Sequence, residues 1–449
     1  MLNYIWLGLM LCAVLIGGWN GQLKEVADKA LEMVNTAVVG IAFALIGVMA
    51  LWLGIMRLAE RAGLVALLAR ALRPLMKRIF PEVPPEHPAM GSMLMNIAAN
   101  MLGLGNAATP LGLRAMKDLE SLNKTPGTAT NAMCTFLAIN TSGIQLIPVT
   151  AIAILAANKS TNPTAIVGTS IICTACAAVS GVLMAKFLSK LPMFAVKAEI
   201  GNLKPEIAKA EGGRAESDKP TVKEAVTLQP MQWWGNFIFA AFLLCFAFFF
   251  LRMVFPETFG LPVSEEETKK NLFIRIVGAV SLLSIPFLLS AIPLFAMLRR
   301  VKVYEEFVDG AKEGFDVAIR IIPYLVAMLV AVGMFRAAGG IDMLSRALSP
   351  VLNQLGFPTD LLPMVLVRPL SGSGSLGFFT ELVKQFGPDS LIARTAGTIY
   401  GSTETTFYVL AVYFGSVAIK RTRHALLAGL TADFVSVVVA VTVCKMVFG

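Results

Sequence analysis

Residues 361–382 decide the fold, and they read LLPMVLVRPLSGSGSLGFFTEL. Two apolar arms, 361–367 and 376–382, flank the polar stretch 368–375, in which proline and glycine end one helix and serine caps the next. An arm of about 8–10 helical residues is about 12–15 Å long, half of the roughly 30 Å hydrocarbon core of a bilayer. Non-helical backbone at that depth is stable only inside protein or beside water. The pattern within 360–383 therefore predicts a re-entrant helical hairpin.

A second segment, 89–113, has the same form. Its apolar sequence is interrupted at 100–110 by NMLGLGNAATP. The alternative is that both segments are kinked helices that cross the membrane fully, since glycine and proline are frequent in membrane helices. Full crossings would place basic loops on the outer side, against the preference of Lys and Arg for the cytoplasm. We therefore favour two re-entrant hairpins.

The composition is that of an integral membrane protein. The 449-residue chain is 56% apolar and only 15% charged, and its mean hydropathy is +0.72. Soluble domains are about 45–50% apolar and about 25% charged. The net charge of +9 comes from short basic blocks beside apolar runs, without a nucleic-acid-binding motif. The expected partner is therefore the lipid bilayer and not nucleic acid.

The sequence contains no pattern typical of an enzyme or a cofactor site. It has no phosphate-binding loop, and neither His87 nor His424 lies near a serine nucleophile. Cys173 and Cys176 form a C-x-x-C inside an apolar stretch without further ligands, which predicts a packed transmembrane pair and not a metal or redox site. We expect no catalytic activity, no metal and no cofactor.

Apolar runs long enough to cross a bilayer need about 20 residues. We predict nine spans, at 2–18, 36–57, 128–157, 164–188, 233–254, 272–298, 316–337, 391–417 and 424–447. The first is short, but it lacks the basic start and the small-residue cleavage site of a signal peptide. We therefore interpret it as a span.

The basic blocks indicate the orientation of the chain. The blocks at 57–78, 299–302 and 420–423 all lie in the cytoplasm if the N-terminus is inside and the C-terminus outside. The acidic loop 255–271 is then external, and the mixed-charge segment 189–229 is a cytoplasmic tether. We predict a multi-pass protein of the bacterial cytoplasmic (inner) membrane.

The two halves of the chain resemble each other in order and spacing. RALRP at 70–74 matches RALSP at 346–350, and NTSGIQ at 140–145 occupies the place of GSTETT at 401–406. A single connector between the halves would invert the second copy, an arrangement typical of transporters with a site near the bilayer midplane. The predicted fold is all-α, with two inverted-topology repeats that each hold an amphipathic helix and a re-entrant hairpin. The predicted units are a first membrane repeat, a charged linker, a connector helix with its external loop, and a second membrane repeat, at 1–188, 189–229, 230–271 and 272–449.

Two charges lie deep in the second repeat. Glu404 is near the middle of its span, and Arg368 is at the tip of its hairpin. A charge at the bilayer centre costs at least about 2.5–3.5 kcal/mol unless it is paired or hydrated. The two side chains are expected either to form an ion pair that stabilises the fold or to contact a polar substrate or coupling ion, and these alternatives are not exclusive. Asp433 also lies within a span, and we interpret it as a partner for the nearby helix end at Arg423.

The expected substrate site is enclosed by the two hairpin tips and the polar stretches downstream of them. Helix N-termini at the tips favour an anionic group, and Glu404 would bind a proton, a cation or a donor group of the solute. The candidate substrate-binding residues are Asn100, Gly105, Asn106, Thr109, Asn140, Thr141, Ser142, Gln145, Arg368, Ser371, Ser373, Ser375, Thr403, Glu404 and Thr405.

Four stretches carry a resemblance to a known family. They are VMALWLG at 48–54, LGNAATP at 104–110, RPLSGSG at 368–374 and GSTETTFYVLAVY at 401–413. In them the chain resembles a fusion of spore maturation proteins A and B, with the first half A-like, the second half B-like and the charged linker as the fusion point. These proteins belong to the nucleoside recognition (Gate) domain family, together with concentrative nucleoside transporters and parts of ferrous iron transporters. The resemblance implies an amphipathic helix, a re-entrant hairpin and an unwound helix in each repeat.

Two functional hypotheses follow from the sequence. The first is a secondary transporter for a small polar solute, nucleoside-like or anionic, coupled to a proton or a cation. The second is a non-transporting membrane scaffold or assembly factor in spore maturation or envelope biology. Solute uptake into proteoliposomes separates the two hypotheses, and a homo-oligomer is compatible with both.

Overall fold

The structure is a computed structural model of the chain, and it describes residues 2–103, 105–194, 231–259, 271–343, 346 and 356–449. Within these ranges the protein is helical, and its only β-type pairing is an isolated bridge between Thr128 and Arg421. Most of the predicted linker 189–229 lies outside the described residues.

The first half of the chain folds into helices joined by short loops. They are α1 (Leu2–Trp19), α2 (Leu23–Asn35), α3 (Phe43–Arg61), α4 (Leu64–Ile79), α5 (Pro88–Met101), α6 (Gly105–Glu120), α7 (Asn131–Thr141), α8 (Val149–Ala157) and α9 (Ile166–Leu188). A π-helical segment, Thr36–Ala42, joins α2 to α3.

The second half begins with the predicted connector helix. Its helices are α10 (Trp233–Val254), α11 (Leu272–Leu298), α12 (Val303–Ala337), α13 (Leu362–Val367), α14 (Gly372–Phe386), α15 (Leu391–Ser402), α16 (Thr406–Gly415) and α17 (Ala425–Phe448). The helices from α5 to α9 and those from α13 to α17 follow the same order. Each set has a helix pair with a sharp tip, then an interrupted helix, then a long apolar helix.

Polar caps start several of the helices that follow an interruption. The Ser371 hydroxyl accepts a hydrogen bond from the Gly374 N–H at 2.9 Å and starts α14. Ser390 caps α15 in the same way, and Thr130 caps α7. Such caps satisfy N–H groups that have no partner within the helix. The structure thus confirms the predicted helix break between the arms at 361–367 and 376–382.

The long apolar helices make the chain a multi-pass membrane protein. In the described residues, α9, α10, α11 and α17 are long and apolar enough to cross a bilayer, and shorter apolar helices cover Trp6–Trp19 and Val326–Ala337. All four long helices coincide with predicted spans.

Two of the predicted spans, 128–157 and 391–417, are each divided into two helices. The first is interrupted at 142–148, where Gly143 adopts a left-handed backbone with φ of +56° and Pro148 precedes α8. The second is interrupted at 403–405. The unwound helices that the family resemblance implies are therefore present at both places.

Helices α3 and α12 pack closely through small residues. A Cβ atom added at Gly314 would lie 2.6 Å from the Ala50 Cα, and one added at Gly310 would lie 2.7 Å from the Leu53 carbonyl oxygen. At the end of this contact Arg57 forms an ion pair with Glu306 at 2.8 Å. Small residues let membrane helices approach at backbone distance, which is how this pair joins the two halves.

We expect Gly314→Leu to destabilise the protein strongly. The new side chain would meet the backbone of α3, which cannot move aside as a flexible side chain can, and overpacking of this kind costs about 1–3 kcal/mol or more. A thermal melt in detergent measures the loss. Gly278→Leu is the matched control because no atom lies within 4 Å of a Cβ placed there. Equal melting temperatures for the two variants would contradict the packing described.

Candidate functional site

The two interrupted helices run antiparallel and cross at their breaks. At one end the Ala129 N–H donates to the Arg421 carbonyl at 3.0 Å, and at the other the Ser160 hydroxyl donates to Asp389 at 2.7 Å. Between these ends the Glu404 N–H donates to the Thr141 carbonyl at 3.1 Å. The start of each interrupted helix therefore lies beside the end of the other.

The tips of the two helix pairs bind these breaks in the same manner. The Leu146 N–H donates to the Met101 carbonyl at 3.0 Å in the first half. The Phe407 N–H donates to the Pro369 carbonyl at 3.0 Å in the second half. The two tips and the two helix breaks, four interrupted segments in all, are thus brought together at one crossing inside an otherwise apolar protein.

Arg368 is buried at the crossing and binds neutral acceptors. Only 5% of the residue's surface is exposed. Nε donates to the Thr403 hydroxyl at 3.0 Å, Nη1 to the Ser375 hydroxyl at 3.4 Å, and Nη2 to the carbonyl oxygens of Tyr400, at 3.0 Å, and Thr403. The guanidinium also stacks 4.3 Å from the centre of the Tyr400 ring. These contacts hold the backbone ahead of the break at 403–405 against α13.

Glu404 does not form the ion pair with Arg368 that the sequence offered as one alternative. Both residues are described, and no ion pair joins them. The half-buried Glu404 instead accepts a hydrogen bond from the Gln145 amide at 3.4 Å. Arg368 donates instead to Thr403, Tyr400 and Ser375. Glu404 faces the first half of the chain across the crossing.

Amide side chains are the polar groups that the first half contributes to the crossing. Asn100 donates to Asn140 Oδ1 at 3.0 Å, and the Tyr413 hydroxyl donates to the same oxygen at 3.4 Å. Asn96 donates to the Ala108 carbonyl at 2.7 Å and to the Tyr413 hydroxyl at 3.4 Å, while its Oδ1 has no partner in the described residues. Sequence reasoning missed Asn96 and Tyr413. Asn96 could have been found, because it lies four residues before Asn100 on one helix face.

The other predicted site residues satisfy local backbone groups or lie close by. Thr141 and Ser142 donate to carbonyls of their own helix, Ser371 and Ser373 hydroxyls are 3.4 Å apart, and Thr405 is buried next to Gly372. Thr109 is half-buried on α6. Gly105 and Asn106 begin α6, and the Asn106 side chain lies outside the part of the chain that the structure describes.

Asp433 is buried, and the helix end that it binds is the start of α16 and not the one near Arg423. Arg423 donates instead to the carbonyls of Phe194 and Ala129 at the helix ends. Asp433 Oδ2 accepts a hydrogen bond from the Thr406 hydroxyl at 2.6 Å, directly after the break. Among the described residues, no group of three His, Cys, Asp or Glu side chains is arranged to hold a metal ion.

Asp389 links the two interrupted helices at the end of the crossing pair, outside the spans. It accepts hydrogen bonds from the Ser160 hydroxyl, from the N–H and hydroxyl of Thr161 at 2.9 Å, and from Arg394 at 3.3 Å. Burial opposes ionisation of this carboxyl, but the hydrogen bonds from Thr161, Ser160 and Arg394 outweigh it and lower the pKa of Asp389 below its usual range.

Acidification is expected to weaken this link between the halves. Because the pKa of Asp389 is lowered in the folded chain, its stabilisation is complete above the unfolded-state pKa of about 3.9 and is lost as the pH falls through the lower folded-state value. We expect Asp389→Asn to lower the melting temperature by roughly 2–4 °C at pH 7. The difference in melting temperature between the variant and the wild type should become smaller below about pH 4. Melting curves of both proteins at pH 7 and at a series of pH values below 4 test this, and a difference in melting temperature that does not change with pH would contradict it.

Comparison with known proteins places the chain among bacterial membrane proteins. The profile of the nucleoside recognition (Gate) family matches residues 42–191 and 318–420. Spore maturation protein B of Bacillus subtilis is 44% identical over 175 residues, covering 39% of this chain and 98% of that protein. Spore maturation protein A of the same organism is 42% identical over 187 residues, covering 42% of this chain and 95% of that protein. Inner membrane protein YjiG of Escherichia coli is 26% identical over 115 residues, covering 25% of this chain and 67% of that protein. No solved structure matches.

Proposed function

The chain belongs to the nucleoside recognition (Gate) family, and on that premise we propose that it binds and moves a small polar solute across the bacterial inner membrane. The solute site is the crossing of the two interrupted helices. The observation that carries the proposal is the convergence of polar side chains from four interrupted segments at one buried point. Polar groups inside a membrane protein are costly and therefore mark solute or ion pathways.

An inverted pair of repeats explains this geometry. The equivalent tip-to-break hydrogen bonds of Met101 and Pro369, and the antiparallel course of the interrupted helices, support a two-fold relation within the membrane plane. In this arrangement the two helix pairs are re-entrant hairpins whose tips meet near the midplane. The N-terminus is then cytoplasmic and the C-terminus external, in agreement with the basic loops.

The two halves contribute different chemistry to the solute site. The first half supplies amides, from Asn96, Asn100 and Asn140, and the second half supplies the carboxylate of Glu404. Arg368 is committed to the backbone around Thr403, so it shapes the site and adds positive potential. A solute with several hydrogen-bonding groups, such as a nucleoside or a small anion, fits such a set of donors and acceptors. A proton or cation at Glu404 completes the proposed coupling.

A thermal-shift screen of the purified protein tests the proposal. Nucleosides, carboxylates and phosphorylated metabolites are added separately, and a solute that binds the folded chain raises its melting temperature. Positive solutes are then tested for uptake into proteoliposomes. If no compound of the three classes shifts the wild-type protein, the solute-binding proposal fails.

A scaffold or assembly role in spore maturation or envelope biology is the second candidate function. It is favoured by the internal satisfaction of Arg368, whose three nitrogens all bind protein acceptors. It also fits the names of the two Bacillus relatives. This role predicts no solute accumulation in proteoliposomes and a stable protein partner in pull-downs, lost on deletion of the linker 189–229.

A further inference from the structure

Helix α4 has three faces that differ in chemistry. Val65, Ala69 and Met76 share one face and are buried, and α4 packs mainly against α5. The other two faces are exposed. The helix begins just after α3, which holds most of the second predicted span and ends at Arg61. An exposed helix surface at the end of a span lies where the lipid headgroups begin.

One exposed face of α4 is basic. Arg70, Arg73 and Lys77 lie three and four residues apart, which places them on one side of the helix. Arg78 is exposed at the end of the same helix. Arg73 forms an ion pair with Glu86 at 3.3 Å, and both side chains are largely in solvent, where such pairs are weak. In the part of the chain that the structure describes, the other three basic residues form no ion pair.

The second exposed face of α4 is apolar. Leu67, Ala71 and Leu75 follow each other at intervals of four residues, so they line one side of the helix. Leu67 is 44% exposed and Leu75 is 53% exposed. An exposed apolar strip beside a basic strip is typical of a helix that lies in the headgroup region of a membrane. The apolar strip then contacts acyl chains, while the long basic side chains reach the phosphate groups.

The corresponding stretch of the second half lacks this positive charge. The match of RALRP at 70–74 with RALSP at 346–350 pairs Arg70 with Arg346. The positions of the other three basic residues hold serine, asparagine and glutamine, at 349, 353 and 354. The positive charge therefore belongs to one copy of the element and not to the pattern that the two copies share. In the orientation proposed above, this copy faces the cytoplasmic leaflet, whose anionic lipids attract basic segments.

We propose that the exposed surface of α4 is a binding site for anionic phospholipid of the cytoplasmic leaflet. The headgroup phosphate accepts hydrogen bonds from Arg70, Lys77 and Arg78, and the acyl chains lie along Leu67 and Leu75. A zwitterionic lipid carries its own positive group and is the poorer match for three basic side chains that form no ion pair in the described chain. The inference uses the proposed orientation and does not depend on the solute site at the crossing.

Lipid titration of the delipidated full chain in a non-ionic detergent tests the proposal, with bound lipid counted by native mass spectrometry. The probes are dioleoylphosphatidylglycerol, phosphatidylcholine with the same acyl chains, and glycerol 3-phosphate, which has no acyl chain. We expect phosphatidylglycerol to bind at least tenfold more tightly than either of the others. Equal affinities for the two lipids would overturn the preference for an anionic headgroup. Equal affinities for phosphatidylglycerol and glycerol 3-phosphate would overturn the lipid site in favour of a free phosphate site.

A triple variant locates the site on α4. Each basic residue near an anionic lipid surface strengthens binding by roughly fivefold. The combined change Arg70→Gln, Lys77→Gln and Arg78→Gln should therefore lower the affinity for phosphatidylglycerol by well over tenfold and leave that for phosphatidylcholine unchanged. All three side chains are exposed, so the melting temperature without lipid should stay at the wild-type value.

The matched control removes the same charge from a surface without an apolar strip. Among the described residues of α6 and the loop after it, no large apolar side chain is exposed. The control combines three substitutions at exposed residues there, Arg114→Gln, Lys117→Gln and Lys124→Gln. This protein should bind phosphatidylglycerol within about threefold of the wild type. Equal losses of affinity in the two triple variants would overturn the assignment to α4, because net charge alone would then account for the binding.

Discussion

Replacing Arg368 with alanine is expected to produce a protein that folds poorly or melts far below the wild type. The guanidinium satisfies the Tyr400 carbonyl and both the hydroxyl and the carbonyl of Thr403, all at the break before α16. Each buried acceptor left without a donor costs about 1–3 kcal/mol. The stacking on Tyr400 is lost as well. A total loss of several kcal/mol is a large part of the stability of an ordinary domain, about 5–15 kcal/mol.

The measurement is a pair of thermal melts in detergent together with size-exclusion profiles. Arg114→Ala is the matched control, because Arg114 is exposed on α6 and the same atoms are removed there. Arg368→Lys should recover only part of the loss, since an ammonium group cannot reproduce the planar fork of a guanidinium. An Arg368→Ala protein that melts with the control would mean that the break at 403–405 is held by other contacts.

The sequence could predict the helix pairs because their signals are local. Proline, glycine and serine at 369–375 end one helix and start the next, and Ser371 caps α14 as such a residue should. The apolar lengths of α9, α10, α11 and α17 likewise made their spans predictable. These features depend on residues that are continuous in the sequence.

The interruption at 403–405 could not be found in the same way. Thr403, Glu404 and Thr405 do not break a helix by their own propensity. The break is stabilised by groups from distant parts of the chain, such as Arg368 and the Thr141 carbonyl. Propensity is a weak prior, and tertiary contacts of this kind override it. The residues of the span 391–417 therefore did not locate the break by themselves.

The hydrogen-bond partners within the site could not be predicted from the sequence either. Two deep charges of opposite sign suggested an Arg368–Glu404 pair, but hydrogen bonds to the backbone take the donors of Arg368 first. Asn96 and Tyr413 lie far apart in the chain and meet only through the crossing. A sequence identifies polar residues at membrane depth, whereas their pairing depends on which helix faces which. The candidate residues were therefore predictable as a set, and their partners were not.

Replacing Glu404 with glutamine is expected to weaken solute binding strongly while leaving the fold intact. The side chain accepts one hydrogen bond from Gln145 at 3.4 Å, and the link to Thr141 is made by the Glu404 backbone N–H, which the variant keeps. The lost interaction is a charged one with the solute or the coupling ion, worth about 1.5–3 kcal/mol, so affinity should fall by roughly tenfold or more. Arg368→Ala, by contrast, should affect folding first.

The measurement combines the melting temperature without ligand, the shift on addition of a solute that stabilises the wild type, and its uptake into proteoliposomes. Glu25→Gln, on the exposed face of α2, is the control for removal of one negative charge. Because Glu404 is half-buried and makes few contacts, its variant should melt close to this control in the absence of solute. A Glu404→Gln protein that misfolds would assign the carboxylate to the architecture of the crossing. One that folds and still takes up solute would place the coupling charge elsewhere, with the buried Asp433 as the next group to replace.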